Sequence, residues 1–250
     1  MGKRKTGRAD FIDADWPAPA NVFAGTTKRS GGISNATYAE FNLGAYVGDE
    51  PHAVGRNRCS LRQQLDLPSM PIWLKQVHGV QVATAPSDDE PEADACITNI
   101  AGSVCVVLTA DCLPVLFASN DGQTVAAAHA GWRGLCAGVL EATLNAFDCP
   151  PNQIVAWLGP AISQPAFEVG EEVREQFIAH DPAASASFQA NATGRWQADL
   201  YALARLRLKN RGVAAVYGGD RCTFTEKTEF FSYRRDGQCG RMASLIYRRT

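Results

Sequence analysis

Short apolar runs alternate along the chain with stretches whose apolar residues recur at helical spacing. Helical patterns lie around Leu135 to Leu144, in residues 171–178 and in residues 199–210, the last with Asp199 as a suitable N-cap and Gly212 just past its end. The apolar runs that predict strands cover residues 72–77, 80–84, 104–108, 114–118, 124–128, 154–158 and 213–217.

This alternation predicts an α/β or α+β fold, in which a layered mixed β-sheet is flanked by helices. Neither an internal repeat nor a long linker divides the chain, and 250 residues with 46% hydrophobic content suffice for one sizeable core. We therefore expect a mobile basic arm over residues 1–12 and a single catalytic domain over residues 13–250.

Charge and cysteine usage restrict the classes of partner and compartment. A net charge of −2 at pH 7 provides no global basic field, so neither nucleic acid nor an anionic membrane is indicated as a partner, and a small-molecule substrate is favoured. No continuous apolar stretch follows the basic start, which predicts a cytoplasmic protein. In that compartment the eight dispersed cysteines are expected to be free thiols, with Cys105 as a small core residue.

Three side chains with metal-binding or nucleophilic chemistry lie at predicted strand ends. His78 precedes Gly79, Cys112 ends the polar island 109–112, and His129 follows the run 124–128. Because α/β enzymes bind ligands at such ends, we expect the three side chains to converge. Two imidazoles and a thiolate form a three-ligand zinc set with a fourth position open, although their intervals match no zinc-finger spacing.

The same residues fit a second chemistry. Cys112 as a nucleophile with His129 as its base requires no metal, and sequence order does not separate the two possibilities. Asp111 is a candidate general base or substrate-orienting group, and it is equally suited to cap a turn. At the predicted helix start 131–134, backbone amides and Arg133 can bind an anion, while Trp132 can stack on a flat ring or pack in the core.

Several long motifs in a fixed order resemble the laccase-domain, YfiH-type family, whose members are named polyphenol oxidases and purine nucleoside phosphorylases. The resemblance extends over nearly the whole chain. Its motifs are residues 29–34, 42–44, 47–49, 57–58, 73–79, 94–95, 109–115, 129–134, 158–162 and 230–237.

The resemblance implies a single domain of the YfiH or cytotoxic-necrotizing-factor-like type, with zinc bound by His78, Cys112 and His129. It also implies phosphate-dependent cleavage of adenosine, inosine, guanosine or methylthioadenosine, and deamination of adenosine to inosine. The partners would then be a nucleoside and phosphate. The segment 230–235 is expected to close the pocket or to pack against it.

On this basis the expected catalytic residues are Cys112, His129 and Asp111, the last as a proton shuttle. Phosphorolysis requires cationic or amide donors for phosphate. The candidate substrate-binding and phosphate-binding residues are Arg29, Asn42, Gln76, Trp132 and Arg133.

Three other functions compete with this one. Four histidines are too few for a multicopper cluster, so a true laccase is not expected, although copper could occupy the site in vitro. The chain lacks the His-x-Glu and Pro-Cys-x-x-Cys signature of zinc nucleobase deaminases, so deamination would need a different acid and base. The main alternative is a Cys–His hydrolase that edits peptidoglycan precursors, resembling toxin deamidases, and the third is a non-catalytic zinc-binding or partner-binding protein. The sequence leaves the oligomeric state open.

Overall fold

The computed structural model describes residues 10–87, 89–213 and 215–249, and these residues form three β-sheets with helices packed against them. The α-helices are α1 (Pro51–Leu65), α2 (Trp132–Ala137), α3 (Val139–Asn145), α4 (Glu171–His180), α5 (Leu200–Asn210) and α6 (Tyr233–Asp236). The strands are β1 (Phe11–Asp13), β2 (Val22–Thr27), β3 (Val82–Thr84), β4 (Ala95–Thr98), β5 (Cys105–Thr109), β6 (Leu113–Ser119), β7 (Val125–Ala130), β8 (Ile154–Leu158), β9 (Glu168–Val169), β10 (Phe188–Ala190), β11 (Trp196–Ala198), β12 (Ala215–Gly218) and β13 (Met242–Arg248).

The largest sheet is mixed and has the order β12-β8-β6-β7-β4-β3. The outer pairs β12–β8 and β3–β4 are parallel, whereas the inner pairs are antiparallel. Every residue of β6 and β7 is buried, which explains why both strands read as continuous apolar runs rather than as alternating ones. The predicted α/β architecture with a layered mixed sheet is confirmed.

A four-stranded antiparallel sheet of order β1-β2-β13-β5 covers one face of the mixed sheet. Between the two sheets lies an apolar layer that includes Cys96, Leu116, Ala127 and Ile246. Cys105 belongs to the same layer and is fully buried, as predicted. The eight cysteines are free thiols.

Helices α2, α3 and α5 cover the opposite face of the mixed sheet, where Leu135, Leu140 and Leu144 pack with Phe117. The pattern from Leu135 to Leu144 predicts one helix, but the structure contains two. Gly138 adopts a φ of +105°, which ends α2 and begins α3, because glycine has no Cβ to oppose a left-handed backbone.

Asp199 caps α5 by accepting a hydrogen bond from the Ala202 N–H, as predicted. Residues 1–9 of the predicted arm lie outside the described residues. Its last two residues, Phe11 and Ile12, belong to β1, because Phe11 is buried in a stack with the Phe23 ring.

The predicted strand 72–77 is not a strand. Only single bridges join Ile72 to Cys105 and Lys75 to Glu92. The Gln76 side-chain amide instead forms hydrogen bonds with the carbonyl and the N–H of Leu108. These side-chain bonds replace the backbone bonds that a neighbouring strand would make there. In the described part of the chain, no helix is long and apolar enough to cross a membrane.

Candidate metal centre

The ends of three chain segments bring His78, Cys112 and His129 together. Cys112 directly precedes β6, and His129 lies in β7 opposite Pro114 of β6, so the strand pairing brings the thiol towards that imidazole. His78 lies in the turn that follows the segment 72–77. One ligand atom from each residue lies within 4.8 Å of the others, and Cys112 Sγ is 3.8 Å from His78 Nε2.

A single buried carboxylate, that of Asp94, positions both histidines. It accepts a hydrogen bond from His129 Nδ1 at 2.8 Å and from the N–H groups of Val77, His78 and Gly79 at 3.2, 2.9 and 2.6 Å. These three bonds stabilise the turn at His78, whose φ of +62° is unusual for a residue with a side chain. The Nδ1 bond directs His129 Nε2 towards the site, which is the arrangement typical of metal-binding histidines.

The charges of the site interact strongly. Burial raises the pKa of the Cys112 thiol, but the imidazoles of His129 and His78 outweigh burial and lower that pKa from 9.0 to about 6. Burial lowers the pKa of His129, but the Cys112 thiolate and Asp94 raise it to about 9. Burial likewise raises the pKa of Asp94, while the bond from His129 and those from the backbone lower it below its ordinary value.

The residue before the thiol, Asp111, is buried and has a φ of +93°. Its Oδ1 accepts a hydrogen bond from Thr223 Oγ1 at 2.6 Å, its Oδ2 accepts one from the Arg234 N–H at 2.7 Å, and its carbonyl accepts one from the Ile162 N–H at 2.9 Å. Asp111 therefore connects the Cys112 loop to three other segments. Its action as a proton shuttle stays a prediction.

The site has room for an ion because Gly131 has no side chain. A Cβ at Gly131 would lie 2.7 Å from His78 Cδ2 and 3.1 Å from Cys112 Sγ. Tetrahedral zinc with two nitrogen ligands and one sulfur ligand requires ligand atoms about 3.5 Å apart, which is close to the separation of Cys112 Sγ and His78 Nε2. The residues fit a metal ion by donor type and by spacing, and the site could hold one.

The three side chains lie in the wall of a cavity of about 480 Å³. Three of the five predicted substrate-binding residues, Gln76, Trp132 and Arg133, also line it. The Arg133 guanidinium stacks on the Trp132 ring at 4.4 Å. Both the oxygen and the NH2 group of the Gln76 amide form hydrogen bonds with the Leu108 backbone. Gln76 is therefore held in one orientation as part of the cavity wall.

The other two predicted residues, Arg29 and Asn42, are not among the residues that line the cavity. The Arg29 guanidinium donates to the carbonyls of Ala39 and Lys227 and stacks on Phe231. Asn42 is buried, and its amide bonds the loop that follows it as well as the Arg241 N–H. Both side chains stabilise backbone segments near the cavity.

Sequence reasoning missed several residues of the site. Asp94 lies in the family motif 94–95, but no residue pattern indicated that its carboxylate bonds His129 and the backbone at His78. In the segment 230–235, Phe230, Phe231 and Ser232 are fully buried, whereas Tyr233 and Arg234 line the cavity. The cavity-lining side chains that were missed include Tyr46, Phe167 and Arg241.

Comparisons with known proteins agree on one family. A sequence model of the family described as multi-copper polyphenol oxidoreductase laccase matches residues 23–249. Over 239 residues the chain is 54% identical to the purine nucleoside phosphorylase YfiH of Escherichia coli (strain K12), covering 95% of this chain and 98% of that protein. It is 51% identical over 239 residues to a purine nucleoside phosphorylase of Haemophilus influenzae, covering 94% of this chain and 98% of the relative.

Solved structures of similar proteins share the fold. A crystal structure of a Neisseria meningitidis protein superposes with a TM-score of 0.94 at 51% identity and covers 96% of this chain and 100% of that one. YlmD from Geobacillus stearothermophilus superposes with a TM-score of 0.91 at 29% identity, covering 100% of this chain and 98% of that one.

Proposed function

The chain belongs to the laccase-like, YfiH-type family, and from this premise we propose that it is a zinc-dependent purine nucleoside enzyme. It would cleave adenosine, inosine, guanosine or methylthioadenosine with phosphate and would also deaminate adenosine to inosine. Its relatives at about 50% identity carry the name purine nucleoside phosphorylase, which supports the first activity. Deamination rests on the family resemblance.

The observation that carries the proposal is that the His78, Cys112 and His129 side chains open into a cavity of nucleoside size. About 480 Å³ is within the range of small-molecule sites. The cavity also combines flat rings, which suit a purine base, with guanidinium groups, which suit phosphate. A site for a bulky phenol would not need these cations.

Each residue has a distinct task in this scheme. His78, Cys112 and His129 would hold zinc, which supplies Lewis-acid polarisation of a substrate oxygen or activation of water. Asp94 holds the two histidines in their binding orientation through its hydrogen bonds. Asp111 would move a proton at its carboxylate, as the neighbour of Cys112.

The aromatic side chains would orient the base. The Tyr46 and Tyr233 rings are 71% and 59% exposed at the cavity and are therefore accessible to a flat ligand. Trp132 packs one side against the helical core, so the rest of its ring can form a rigid wall. Stacking on such rings tolerates adenine, guanine and hypoxanthine alike, which suits an enzyme that accepts several purines.

A second candidate, a Cys–His hydrolase that edits peptidoglycan precursors, is favoured by one specific observation. Asp94 accepts the hydrogen bond from His129 Nδ1, as the third member of a nucleophile, base and orienting-acid set does. That chemistry would use Cys112 and His129 without requiring the imidazole of His78.

Mass-spectrometric product analysis tests the proposal. Zinc-loaded protein is incubated with adenosine with and without phosphate, beside Cys112→Ala and the matched control Cys59→Ala, whose cysteine is exposed on α1. We expect phosphate-dependent adenine and ribose 1-phosphate, together with inosine, from the parent and from Cys59→Ala only. No product from any nucleoside would refute the proposal.

One further variant separates the two candidates. A zinc enzyme requires all three ligands, so His78→Ala should abolish nucleoside turnover and reduce the zinc content. Full activity of His78→Ala on a peptidoglycan precursor would favour the hydrolase instead.

A further inference from the structure

Three arginines line the cavity, and in the described part of the chain none of them forms an ion pair: Arg133, Arg234 and Arg241. The carboxylate that lines the same cavity is that of Asp111, and both of its oxygens already accept hydrogen bonds. Among the arginine and carboxylate side chains of this wall, three positive charges therefore face one negative charge.

Each arginine belongs to a segment that contacts or adjoins the site formed by His78, Cys112 and His129. The Arg234 N–H bonds Asp111, the residue before Cys112. Arg241 precedes Met242, which pairs with Thr109 at the end of β5, three positions before Cys112. Arg133 is two residues after Gly131, where an added Cβ would contact His78 and Cys112.

The guanidinium groups are also oriented in advance. Arg234 Nη1 donates to the Glu168 carbonyl, and Arg241 Nη1 donates to the carbonyls of Cys239 and Gly240, so one side of each fork is fixed. Each guanidinium also lies over an aromatic ring that lines the cavity. These pairs are Arg133 over Trp132 at 4.4 Å, Arg234 over Phe167 at 5.3 Å and Arg241 over Tyr233 at 5.9 Å.

Pre-oriented guanidinium forks are the side chains that best match phosphate oxygens, because each can donate two parallel hydrogen bonds and less side-chain entropy is lost on binding. A cavity wall with three cations and one engaged carboxylate also concentrates anions from solution. A neutral nucleoside would gain nothing from such a wall. The charge therefore indicates a second, anionic ligand.

We propose that Arg133, Arg234 and Arg241 form a subsite for a phosphoryl group, occupied by inorganic phosphate in the forward reaction and by the phosphate of ribose 1-phosphate in the reverse. This subsite rests on the proposed phosphorolysis. In that reaction a phosphate oxygen bonds the ribose C1′ while the C1′–N bond breaks, and the electron pair leaves with the purine, which takes up a proton. The subsite holds the incoming phosphate beside His78, Cys112 and His129.

Direct binding tests the subsite without turnover. Isothermal titration calorimetry at constant ionic strength measures the binding of inorganic phosphate and, in a separate series, of ribose 1-phosphate. The proteins compared are the zinc-loaded parent and the variants Arg133→Gln, Arg234→Gln and Arg241→Gln. Each loss of a charge-assisted contact should raise both dissociation constants about tenfold. The matched control is Arg56→Gln, which removes an exposed arginine of α1 outside the cavity and should bind like the parent.

Two controls keep the result interpretable. Thermal unfolding of each variant checks that the fold is retained, and Arg234→Lys, which keeps the charge but loses the fork, should bind phosphate with intermediate affinity. If only one of the two ligands binds the variants more weakly than the parent, that ligand is the one that contacts the arginines. Unchanged phosphate and ribose 1-phosphate affinities in all three folded glutamine variants would overturn the subsite.

Failure of the subsite differs from failure of the proposed function. If the parent phosphorolyses nucleosides while the glutamine variants keep its KM for phosphate, the function stands and the subsite is wrong. If the variants lose phosphate binding while the parent cleaves no nucleoside, the subsite stands and the function is wrong.

Discussion

Asp94 accepts a hydrogen bond from His129 Nδ1 at 2.8 Å, and its carboxylate is fully buried. The same carboxylate accepts hydrogen bonds from three backbone N–H groups of the turn that contains His78. One side chain thus sets the ring orientation of one proposed zinc ligand and the backbone position of another. The precision of the candidate site depends on this residue as much as on the ligands themselves.

Asp94→Asn should weaken zinc binding about 10-fold to 100-fold. An asparagine turns its NH2 group, a donor, towards at least one of the donors that the carboxylate now satisfies. Competition with a chromogenic chelator measures the affinity, and Asp89→Asn, which changes an exposed residue between β3 and β4, is the matched control. Parent-like zinc affinity in folded Asp94→Asn would contradict the positioning role.

Gly131→Ala should exclude the metal while the fold is kept. The new Cβ would lie 2.7 Å from His78 Cδ2 and 3.1 Å from Cys112 Sγ, so these ligand side chains must shift. Elemental analysis of the purified variant should show most of the zinc lost. Gly55→Ala in α1 is the control, because its Cβ meets nothing within 4 Å and should leave zinc content unchanged while stabilising the helix by up to about 1 kcal/mol.

Asp111→Asn separates a proton shuttle from a structural tie. The amide keeps one oxygen acceptor for the Arg234 N–H, and the Thr223 hydroxyl can turn to accept from the amide NH2, so the fold should survive. A shuttle predicts that kcat falls about 100-fold or more while the melting temperature changes little. Undiminished turnover would exclude the shuttle and leave Asp111 with its tie between the Cys112 loop and Arg234.

Tyr46→Ala should raise the KM for nucleoside about tenfold with a smaller effect on kcat, because base stacking on an aromatic ring contributes about 1 to 3 kcal/mol. The Tyr46 hydroxyl donates a hydrogen bond to Glu90 Oε2 at 2.7 Å, which holds the ring in position. Arg58 in turn donates to Glu90 Oε1 at 2.8 Å. Tyr46→Phe keeps the ring and should show a smaller rise in KM. Steady-state kinetics measures both variants.

The control for these variants is Tyr217→Ala, which removes an exposed tyrosine on β12 that does not line the cavity. Its KM should equal that of the parent. A Tyr46→Ala enzyme with an unchanged KM would mean that the base binds elsewhere in the cavity.

The pattern of the sequence determined the strands at the centre of the mixed sheet and the helices behind it. In β6 and β7 both faces are buried, so the apolar runs are unbroken, and in α5 the helical spacing and the Asp199 cap coincide. Of the four-stranded sheet only β5 was predicted as a strand. Strand β13, which pairs with β2 and β5 from distant parts of the chain, was missed. Helix α1 also escaped, because its buried residues are few.

The sequence by itself also determined the residue types of the candidate site, since His78, Cys112 and His129 follow from strand ends, chemistry and family motifs. Only the tertiary structure decided which other residues join them. Arg29 and Arg133 look alike in sequence, but the carbonyls of Ala39 and Lys227 engage the first, while the second lines the cavity. The hydrogen-bond partners of such a side chain come from segments far away in the chain. The residues around an arginine in the sequence therefore do not indicate which distant carbonyl or carboxylate will lie next to it after folding.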